Sequence, residues 1–431
     1  MSRAEYVRFC RPREDRLGHP ERWRNRMRVC VVGAGFSGLA AAEAVQRAGH
    51  EVVVLEARDR VGGRVWSQTL PNGAVIERGA EFIEHYQNEI FAVVERLGLR
   101  LAPTGMAYAD REPRGGQGVD RATLLKAVAR VREALTAGPA NPDAPVTLFL
   151  NDLGLDPGAH EAILARLTIT STHRVASLPV TVLGDGHSLL NSDESFRVAG
   201  GNQGVALELA RRLGPAVYLS TPAQAVVWTD DQVTVRAGGG EIVADRAVIT
   251  APARLMRQIA FDPPLPAWKQ AAIEGVAYGH AAKLAVPLRE PTGPSATLST
   301  LDHFWTWTAQ GAGGAVAPVA NCFAGSAPAL DALQVAAGPH RWLERLAWLR
   351  PDLALAPEGA VLTTWDDDPW IGASYSAALL GQPRQPAEVI RAVGPLHFAG
   401  EHTAGLHYAT MDGALRSGRR AAEEITASSQ G

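Results

Sequence analysis

Three closely spaced glycines, Gly33, Gly35 and Gly38, form the pattern G-x-G-x-x-G, and Glu56 follows 23 residues after the first of them. An apolar stretch precedes the glycines and a helical stretch follows them, which is the context in which this pattern binds a dinucleotide. Gly33 permits a tight turn, Gly35 lets the backbone approach a pyrophosphate, and Gly38 lets the helix pack closely on the strand. We therefore expect the pyrophosphate at the helix N-terminus beside Ser37, and the adenosine ribose on Glu56.

The loop that follows Glu56 favours FAD over NAD as the dinucleotide. It contains two adjacent glycines that arginines flank on both sides. Such a loop can bring a fixed guanidinium to a phosphate, a geometry that arginine offers better than lysine. We therefore count Ala57, Arg58, Gly63 and Arg64 among the cofactor contacts.

Lys283 is a candidate catalytic residue because of its type and its surroundings. It is one of three lysines in a chain with 42 lysines and arginines, and its neighbours from residue 280 to residue 286 are almost all apolar. Burying an ammonium group is costly unless the group is paired or neutralised. The alternative is a lysine at a strand end whose ammonium reaches solvent.

Further motifs, in the same order along the chain, resemble those of the flavin monoamine oxidase family, which includes polyamine and L-amino acid oxidases. The resemblance covers about residues 28–428 and rests on segments 33–38, 56–64, 79–83, 200–201, 220–223, 262–266, 365–375, 400–403 and 411–414. It implies cofactor contacts at Gly79, Ala80, Glu81, Phe82, Ala223, Trp365, Gly400, Glu401, Met411 and Ala414. It also implies that Lys283 holds a water against flavin N5, and that Tyr375 is one of two aromatic residues enclosing the amine.

The resemblance constrains the substrate less than the cofactor. The second aromatic position falls on Thr410, with His407 and Tyr408 close by, so the aromatic pair is incomplete. Glu84 lies where polyamine oxidases carry an acidic residue or a histidine. It would either pair with a distal ammonium or remain a solvated carboxylate at a loop exit. Residues 81–82 lack the arginine that binds the carboxylate in L-amino acid oxidases, which argues against α-amino acids.

The reaction implied by the resemblance is oxidation of an amine to an imine. The α-carbon would deliver hydride to flavin N5, and dioxygen would then be reduced to hydrogen peroxide. Family members that tether the flavin use a cysteine where this chain has Ser374, so we expect FAD to be bound without a covalent link. Two alternatives are a desaturase or protoporphyrinogen-type oxidase of the same superfamily, and a flavin-binding protein without turnover.

These residues need a Rossmann-like framework to hold them. The apolar and periodic stretches predict strands at 28–33, 51–56, 223–228, 232–236 and 241–250, and helices at 38–48, 87–98, 124–135 and 205–213. Residues 396–425 predict a strand, a Gly-Glu turn and a long helix. These elements predict an α/β fold class (α+β overall) with a Rossmann-like FAD-binding domain and an inserted substrate domain, and the family resemblance implies that the fold is of amine-oxidase type.

The predicted FAD-binding domain is discontinuous and comprises residues 27–100, 196–262 and 360–431. Residues 101–195 and 263–359 form the predicted substrate-binding domain. Residues 1–26 carry eight arginines and four acidic residues and are expected to be a basic, flexible tail.

The composition excludes several other classes of protein. A net charge of −3 over 431 residues gives no basic field for nucleic acid, and three widely spaced cysteines predict neither a disulfide framework nor a metal site. No stretch approaches the ~20 apolar residues that span a bilayer. We expect a cytoplasmic protein whose partners are a small amine and dioxygen. The oligomeric state stays open, with a homodimer as one option.

Overall fold

The computed structural model of the protein describes residues 26–107, 110–184, 194–382 and 387–427. The predicted basic tail therefore lies outside the described residues, except for Arg26. The strands are β1 (Arg28–Val32), β2 (Glu51–Leu55), β3 (Ser67–Thr69), β4 (Val75–Glu77), β5 (Leu101–Ala107), β6 (Glu112–Arg114), β7 (Glu194–Val198), β8 (Val217–Tyr218), β9 (Ala223–Trp228), β10 (Val233–Ala237), β11 (Gly240–Ala244), β12 (Arg246–Ile249), β13 (Ala260–Asp262), β14 (Ala277–Tyr278), β15 (Ala281–Pro287), β16 (Ser295–Ser299), β17 (Phe304–Thr308), β18 (Val319–Gly325), β19 (Val361–Thr364), β20 (Ser376–Ala377) and β21 (Leu396–Phe398). The α-helices are α1 (Phe36–Arg47), α2 (Asn88–Arg96), α3 (Arg121–Ala137), α4 (Val146–Asp152), α5 (Pro157–Ser171), α6 (Gly204–Leu213), α7 (Ala253–Met256), α8 (Ala267–Glu274), α9 (Ala327–Ala332), α10 (His340–Leu349), α11 (Ala387–Ile390) and α12 (Met411–Ala427).

A parallel five-stranded sheet, in the order β21-β12-β1-β2-β8, carries the glycine motif. Strands β1 and β2 are continuous apolar runs and are buried almost throughout, as expected for central strands of a parallel sheet covered on both faces. The βαβ unit predicted at the front of the chain is confirmed, with helix α1 beginning at Phe36 rather than at residue 38.

Helix α12 packs along α1 on one face of this sheet, and glycine makes the close approach possible. A Cβ added at Gly418 of α12 would lie 2.1 Å from the carbonyl oxygen of Ser37 in α1. The long C-terminal helix predicted from the sequence is confirmed, and its contact holds the start of α1 in place.

The stretch predicted as one strand from 241 to 250 is in fact two strands in two sheets. Strands β11, β10 and β9 form an antiparallel meander, with β13 parallel to β9 at its edge. Strand β12 instead joins the parallel sheet. The chain changes sheets at Asp245, because the Asp245 carboxylate accepts a hydrogen bond from the Arg28 backbone N–H at 2.6 Å and its own N–H bonds to the Arg28 carbonyl at 2.8 Å.

A six-stranded sheet, in the order β19-β15-β18-β17-β16-β6, forms the opposite side of the molecule. All its neighbouring strands are antiparallel except β16 and β6. Strand β19 belongs to this sheet, because it pairs with β15, with Thr363 opposite Lys283. The sequence analysis had placed the residues of β19 in the FAD-binding domain. Among the described residues, no helix combines the length and the apolar character needed to cross a bilayer.

Candidate active site

A cavity of ≈ 560 Å³ extends from the glycine motif at the parallel sheet to the face of the six-stranded sheet. All the residues predicted to bind cofactor or substrate line this cavity, except Gly38 and His407. The fold therefore brings together residues spread over more than 370 positions of the sequence, from Gly33 to Ala414. The individual roles assigned to these residues remain predictions.

The three motif glycines differ in what surrounds them, and the differences match the predicted roles. Gly33 has a φ of +107°, a conformation that L side chains rarely adopt. A Cβ added at Gly35 would meet no atom within 4 Å, so the backbone there faces the open cavity. A Cβ at Gly38 would lie 1.9 Å from the Gly33 carbonyl oxygen, so Gly38 packs behind the turn instead of lining the cavity. The open backbone at the start of α1 fits a pyrophosphate.

Glu56 is buried at the end of β2 and faces the same cavity. Its two carboxylate oxygens accept hydrogen bonds from the backbone N–H groups of Ala34 at 2.7 Å and Arg58 at 2.9 Å. Burial raises the pKa of Glu56 above its ordinary value, although these two hydrogen bonds oppose the rise. A carboxylate has about four lone-pair sites, so two remain to accept ribose hydroxyls.

Glu401 joins three segments of the cavity wall. Its carboxylate pairs with Arg64 at 2.8 Å, and it accepts hydrogen bonds from the Ser376 hydroxyl at 2.5 Å and from the Ala409 N–H at 2.8 Å. Burial alone would raise the pKa of Glu401. The positive charge of Arg64, with smaller contributions from His402 and these hydrogen bonds, outweighs burial and holds the pKa below its ordinary value. Arg64 also donates to the Ser374 carbonyl oxygen at 2.6 Å, so both partners of this ion pair are fixed in place.

Lys283 lies in β15 and is only 8% exposed. Its ammonium donates to Glu81 Oε2 at 2.6 Å and to the Gly79 carbonyl oxygen at 3.1 Å. Glu81 Oε1 in turn accepts from Arg197 at 3.1 Å and from the Trp307 indole N–H at 3.2 Å. The alternative of a lysine that reaches solvent is therefore wrong, because Lys283 forms a buried ion pair within a hydrogen-bonded cluster.

An aromatic wall, which the sequence analysis did not identify, bounds the cavity next to this cluster. Trp305 and Trp307 stack with ring centroids 4.1 Å apart, and Phe82 contacts both at 5.4 Å. The signal in the sequence was the spacing of the two tryptophans, since residues i and i+2 of a strand point to the same face. Their position at the cavity depended on the pairing of β17 with β18, which the sequence does not reveal.

Tyr375 and Glu84, two further predicted site residues, each form a hydrogen bond through the polar group of the side chain. The Tyr375 hydroxyl donates to the Thr170 carbonyl oxygen at 2.8 Å. Glu84 is only 6% exposed, and its Oε1 accepts a hydrogen bond from the Ser195 hydroxyl at 2.8 Å. The alternative of a solvated carboxylate at a loop exit is therefore wrong for Glu84, which presents a buried acidic group at the cavity.

The segment before α12 contributes Tyr408 and Thr410 to the cavity but not His407. Thr410 caps α12, because its hydroxyl accepts from the Gly413 N–H at 2.9 Å and donates to the His407 carbonyl oxygen at 2.6 Å. The His407 ring instead faces Asp412, with Nδ1 3.6 Å from Oδ2. The prediction of His407 as a pocket residue is corrected for this reason.

No cysteine among the described residues lies at the cavity. Cys30 in β1 and Cys322 in β18 are buried, and burial raises the pKa of each thiol to about 12. Cys10 falls outside the described residues. Ser374 does line the cavity, and its hydroxyl donates to Thr172 Oγ1 at 3.2 Å.

Comparison with known proteins agrees with this geometry. Residues 36–426 match the family model described as flavin containing amine oxidoreductase. Putrescine oxidase from Kocuria rosea is 29% identical over 92% of this chain and 94% of its own length. The flavin-containing amine oxidase B of Mus musculus is 28% identical over 93% of this chain and 86% of its own length.

Solved structures show the same fold. A putrescine oxidase structure with bound putrescine has a TM-score of 0.78 and 26% sequence identity, covering 93% of this chain and 99% of the other. Cyclohexylamine oxidase from Brevibacterium oxydans has a TM-score of 0.79 at 21% identity, covering 94% of this chain and 100% of the other. These matches favour neither the desaturase alternative nor a flavin-binding protein without turnover. The chain belongs to the flavin-containing amine oxidoreductase family and is an FAD-dependent amine oxidase.

Proposed function

We propose that the enzyme oxidises amines with an apolar chain and a second ammonium group at the far end, the class of the aliphatic diamines and polyamines. The observation that carries this proposal is the buried carboxylate of Glu84 in a cavity whose lining also includes the aromatic residues Phe82, Trp305 and Trp307. The similarity to a putrescine oxidase and to its putrescine-bound structure supports the same class.

The residues around the glycine motif fit FAD, held without a covalent link. The open backbone at Gly35 would receive the pyrophosphate, Glu56 the ribose, and Ala223 the adenine. Bound FAD supplies the two-electron acceptor for oxidation of the amine α-carbon, and dioxygen then takes the electrons as hydrogen peroxide. Ser374 at the cavity, with Cys30 and Cys322 buried away from it, supports non-covalent binding.

The chain's own residues prepare the amine and manage protons. An apolar wall disfavours a charged amine by desolvation, so the reacting nitrogen is held in its neutral form. Lys283 provides an N–H donor at the cavity, and its ion pair with Glu81 fixes the direction of that donor. Tyr375, whose hydroxyl is anchored on Thr170, presents an oriented ring to the substrate.

Charge at the substrate side selects for cations. The charged cavity-lining groups beside the aromatic wall are Glu81, Glu84 and Lys283, and Lys283 is paired with Glu81. Glu84, whose carboxyl accepts a hydrogen bond from Ser195, is the acidic group that would bind a second ammonium. An α-amino acid would instead bring its own carboxylate close to Glu81 and Glu84, and the two cavity-lining arginines among the described residues, Arg58 and Arg64, are paired with Asp368 and Glu401.

A peroxide-coupled panel of amines tests the proposed substrate class. The panel contains linear monoamines, diamines of matched chain length, and polyamines. We expect diamines or polyamines to have the highest kcat/KM in the parent enzyme. In Glu84→Gln, which keeps an acceptor for Ser195 but loses the charge, we expect their KM to rise at least about tenfold, or ~1.4 kcal/mol. Monoamines of matched length serve as the control and should change little; equal losses for both groups would contradict the proposal.

A further inference from the structure

A second, small cavity adjoins Lys283, and none of the aromatic residues Phe82, Trp305 and Trp307 lines it. Its volume is ≈ 10 Å³, which is room for about one water molecule, and its polar lining includes Glu77, Asn321 and Thr363. Among the described residues, Lys283 alone lines both this cavity and the large one. Lys283 therefore lies between the large cavity and a small one that is lined by a second acidic residue.

Glu77, at the end of β4, is 3% exposed and is held by two uncharged partners. Its Oε1 accepts from the Asn202 backbone N–H at 2.8 Å, and its Oε2 accepts from the Ser67 hydroxyl at 2.7 Å. The Asn202 side chain then donates to the carbonyl oxygens of Ala80 at 3.1 Å and Glu81 at 2.7 Å. Glu77 is thus connected through Asn202 to the segment that lines the large cavity and pairs with Lys283.

The ionisation state of Glu77 affects the net charge of the groups around it. Lys283 and Arg197 are cations that share the carboxylate of Glu81, so this group alone carries one excess positive charge. Arg78, the residue after Glu77, also lines the small cavity. An ionised Glu77 lowers the net positive charge of these groups by one, whereas a neutral Glu77 leaves it unchanged.

Glu77 changes its charge in the neutral range. Burial raises the pKa of Glu77 to about 7, and the negative charge of Glu81 adds to the rise. The hydrogen bonds from Asn202 and Ser67 and the positive charge of Lys283 act in the opposite direction without cancelling it.

We propose that Glu77 is a positioning residue for the reaction: it supports Lys283 and the Ala80–Glu81 segment from behind, and its ionisation sets the net charge of the buried cluster. The proposal rests on the FAD-dependent oxidase activity. It does not depend on which amine is the substrate.

The first test measures reoxidation of the cofactor by dioxygen after reduction with dithionite, so no amine is needed. Reduction of dioxygen develops negative charge, which a positive cluster stabilises. In the parent enzyme we expect the rate to fall at least about threefold from pH 6 to pH 9. In Glu77→Gln the rate of cofactor reoxidation should stay at its pH 6 value up to pH 9, because glutamine cannot ionise. Glu43→Gln, which alters a buried carboxyl paired with Arg96 away from the cavity, should keep the parent profile.

A second variant shows whether Glu77 acts through Lys283. In Lys283→Met, adding Glu77→Gln should change the pH profile much less, because the cation of the cluster that lines both cavities is gone. The proposal would be overturned if Glu77→Gln alone left the pH profile of reoxidation unaltered. It would also be overturned if Glu77→Gln changed that profile equally in the presence and in the absence of Lys283. If Glu77→Gln does not fold, Ser67→Ala removes one hydrogen bond to the ionised carboxylate and should move the inflection to higher pH; an unmoved inflection would also overturn it.

Thermal unfolding provides a readout independent of catalysis. The pKa of Glu77 is higher in the folded protein than in the unfolded chain. The free energy of unfolding therefore falls as the pH rises from the pKa of Glu77 in the unfolded chain to its pKa of about 7 in the folded protein. Glutamine cannot ionise, so the Tm of Glu77→Gln relative to the parent should increase between pH 5 and pH 8. A Tm difference that is constant with pH would show that Glu77 does not ionise in this range and would overturn the proposal.

Discussion

Lys283 combines two properties that rarely occur together, a buried ammonium and a position on the wall of a large cavity. Its charge is compensated by Glu81, which is itself shared with Arg197 and Trp307. A buried pair of this kind contributes little net stability, but removing one partner leaves an uncompensated charge. The arrangement is therefore better explained by a requirement for an oriented donor at the cavity than by a requirement for stability.

Replacement of Lys283 by Met tests this role. The substitution keeps a similar volume but removes the charge and the N–H donor. We expect flavin reduction by amine, or reoxidation by dioxygen, to slow at least about tenfold, which corresponds to ~1.4 kcal/mol in the barrier. Stopped-flow absorbance separates the two half-reactions. Lys126→Met, at an exposed position on α3, is the matched control and should match the parent in both. Parent-like rates in Lys283→Met would refute the assigned role.

Single residues could be predicted from the sequence where their type was unusual for their surroundings. Lys283 in an apolar stretch is one such residue. Glu77, Arg197 and Trp307 could not be found in this way, because each acts through partners that are distant in sequence. Trp307, for example, contacts Glu81 at 3.2 Å across 226 positions of the chain, and only the strand pairing creates this contact.

Two turns carry most of the contacts that we propose for the cofactor. The glycine turn between β1 and α1 offers bare backbone to a phosphate, and its conformation at Gly33 requires glycine. The stretch from Gly372 to Ser376 passes the cavity opposite to it, tied by Arg64 to the Ser374 carbonyl oxygen and by Glu401 to Ser376. Neither turn presents a thiol to the cavity.

The second turn supports the proposal that FAD is bound without a covalent link. Ser374 is a far weaker nucleophile than a thiol, and its hydroxyl is already engaged with Thr172 at 3.2 Å. Acid precipitation of the purified protein should therefore leave the yellow colour in the supernatant, with an absorbance spectrum of free FAD. Colour that stays with the protein pellet would mean a covalent bond and a wrong assignment of Ser374.

Secondary structure was predictable where the local pattern was strong. The βαβ unit and α12 were predicted correctly, because apolar periodicity and the positions of glycines are features of the local sequence. The break between β11 and β12 was missed since Asp245 ends the first strand through a contact with Arg28, 217 positions away. Strand β19 was assigned to the other domain for the same kind of reason, because its partner β15 lies some 80 residues earlier.

Across the whole chain, two sheets of different construction face one cavity. The parallel sheet supplies the backbone turn and the acidic residue expected to bind a dinucleotide, and the six-stranded sheet supplies Lys283 and the tryptophans. A cofactor bound from the glycine turn would extend towards the second sheet, where we propose that the substrate binds. This division explains why cofactor binding was strongly encoded in local motifs, whereas the substrate site required the assembled fold.

Anaerobic titration of the purified, FAD-containing enzyme with an aliphatic diamine such as putrescine tests the account most directly. We expect the oxidised flavin absorbance near 450 nm to bleach with about one equivalent of diamine per flavin, as a two-electron oxidation requires. Admission of dioxygen should restore the absorbance and release about one equivalent of hydrogen peroxide. An enzyme that binds FAD and is reduced by dithionite, but is bleached by no diamine, polyamine or monoamine, would contradict the account.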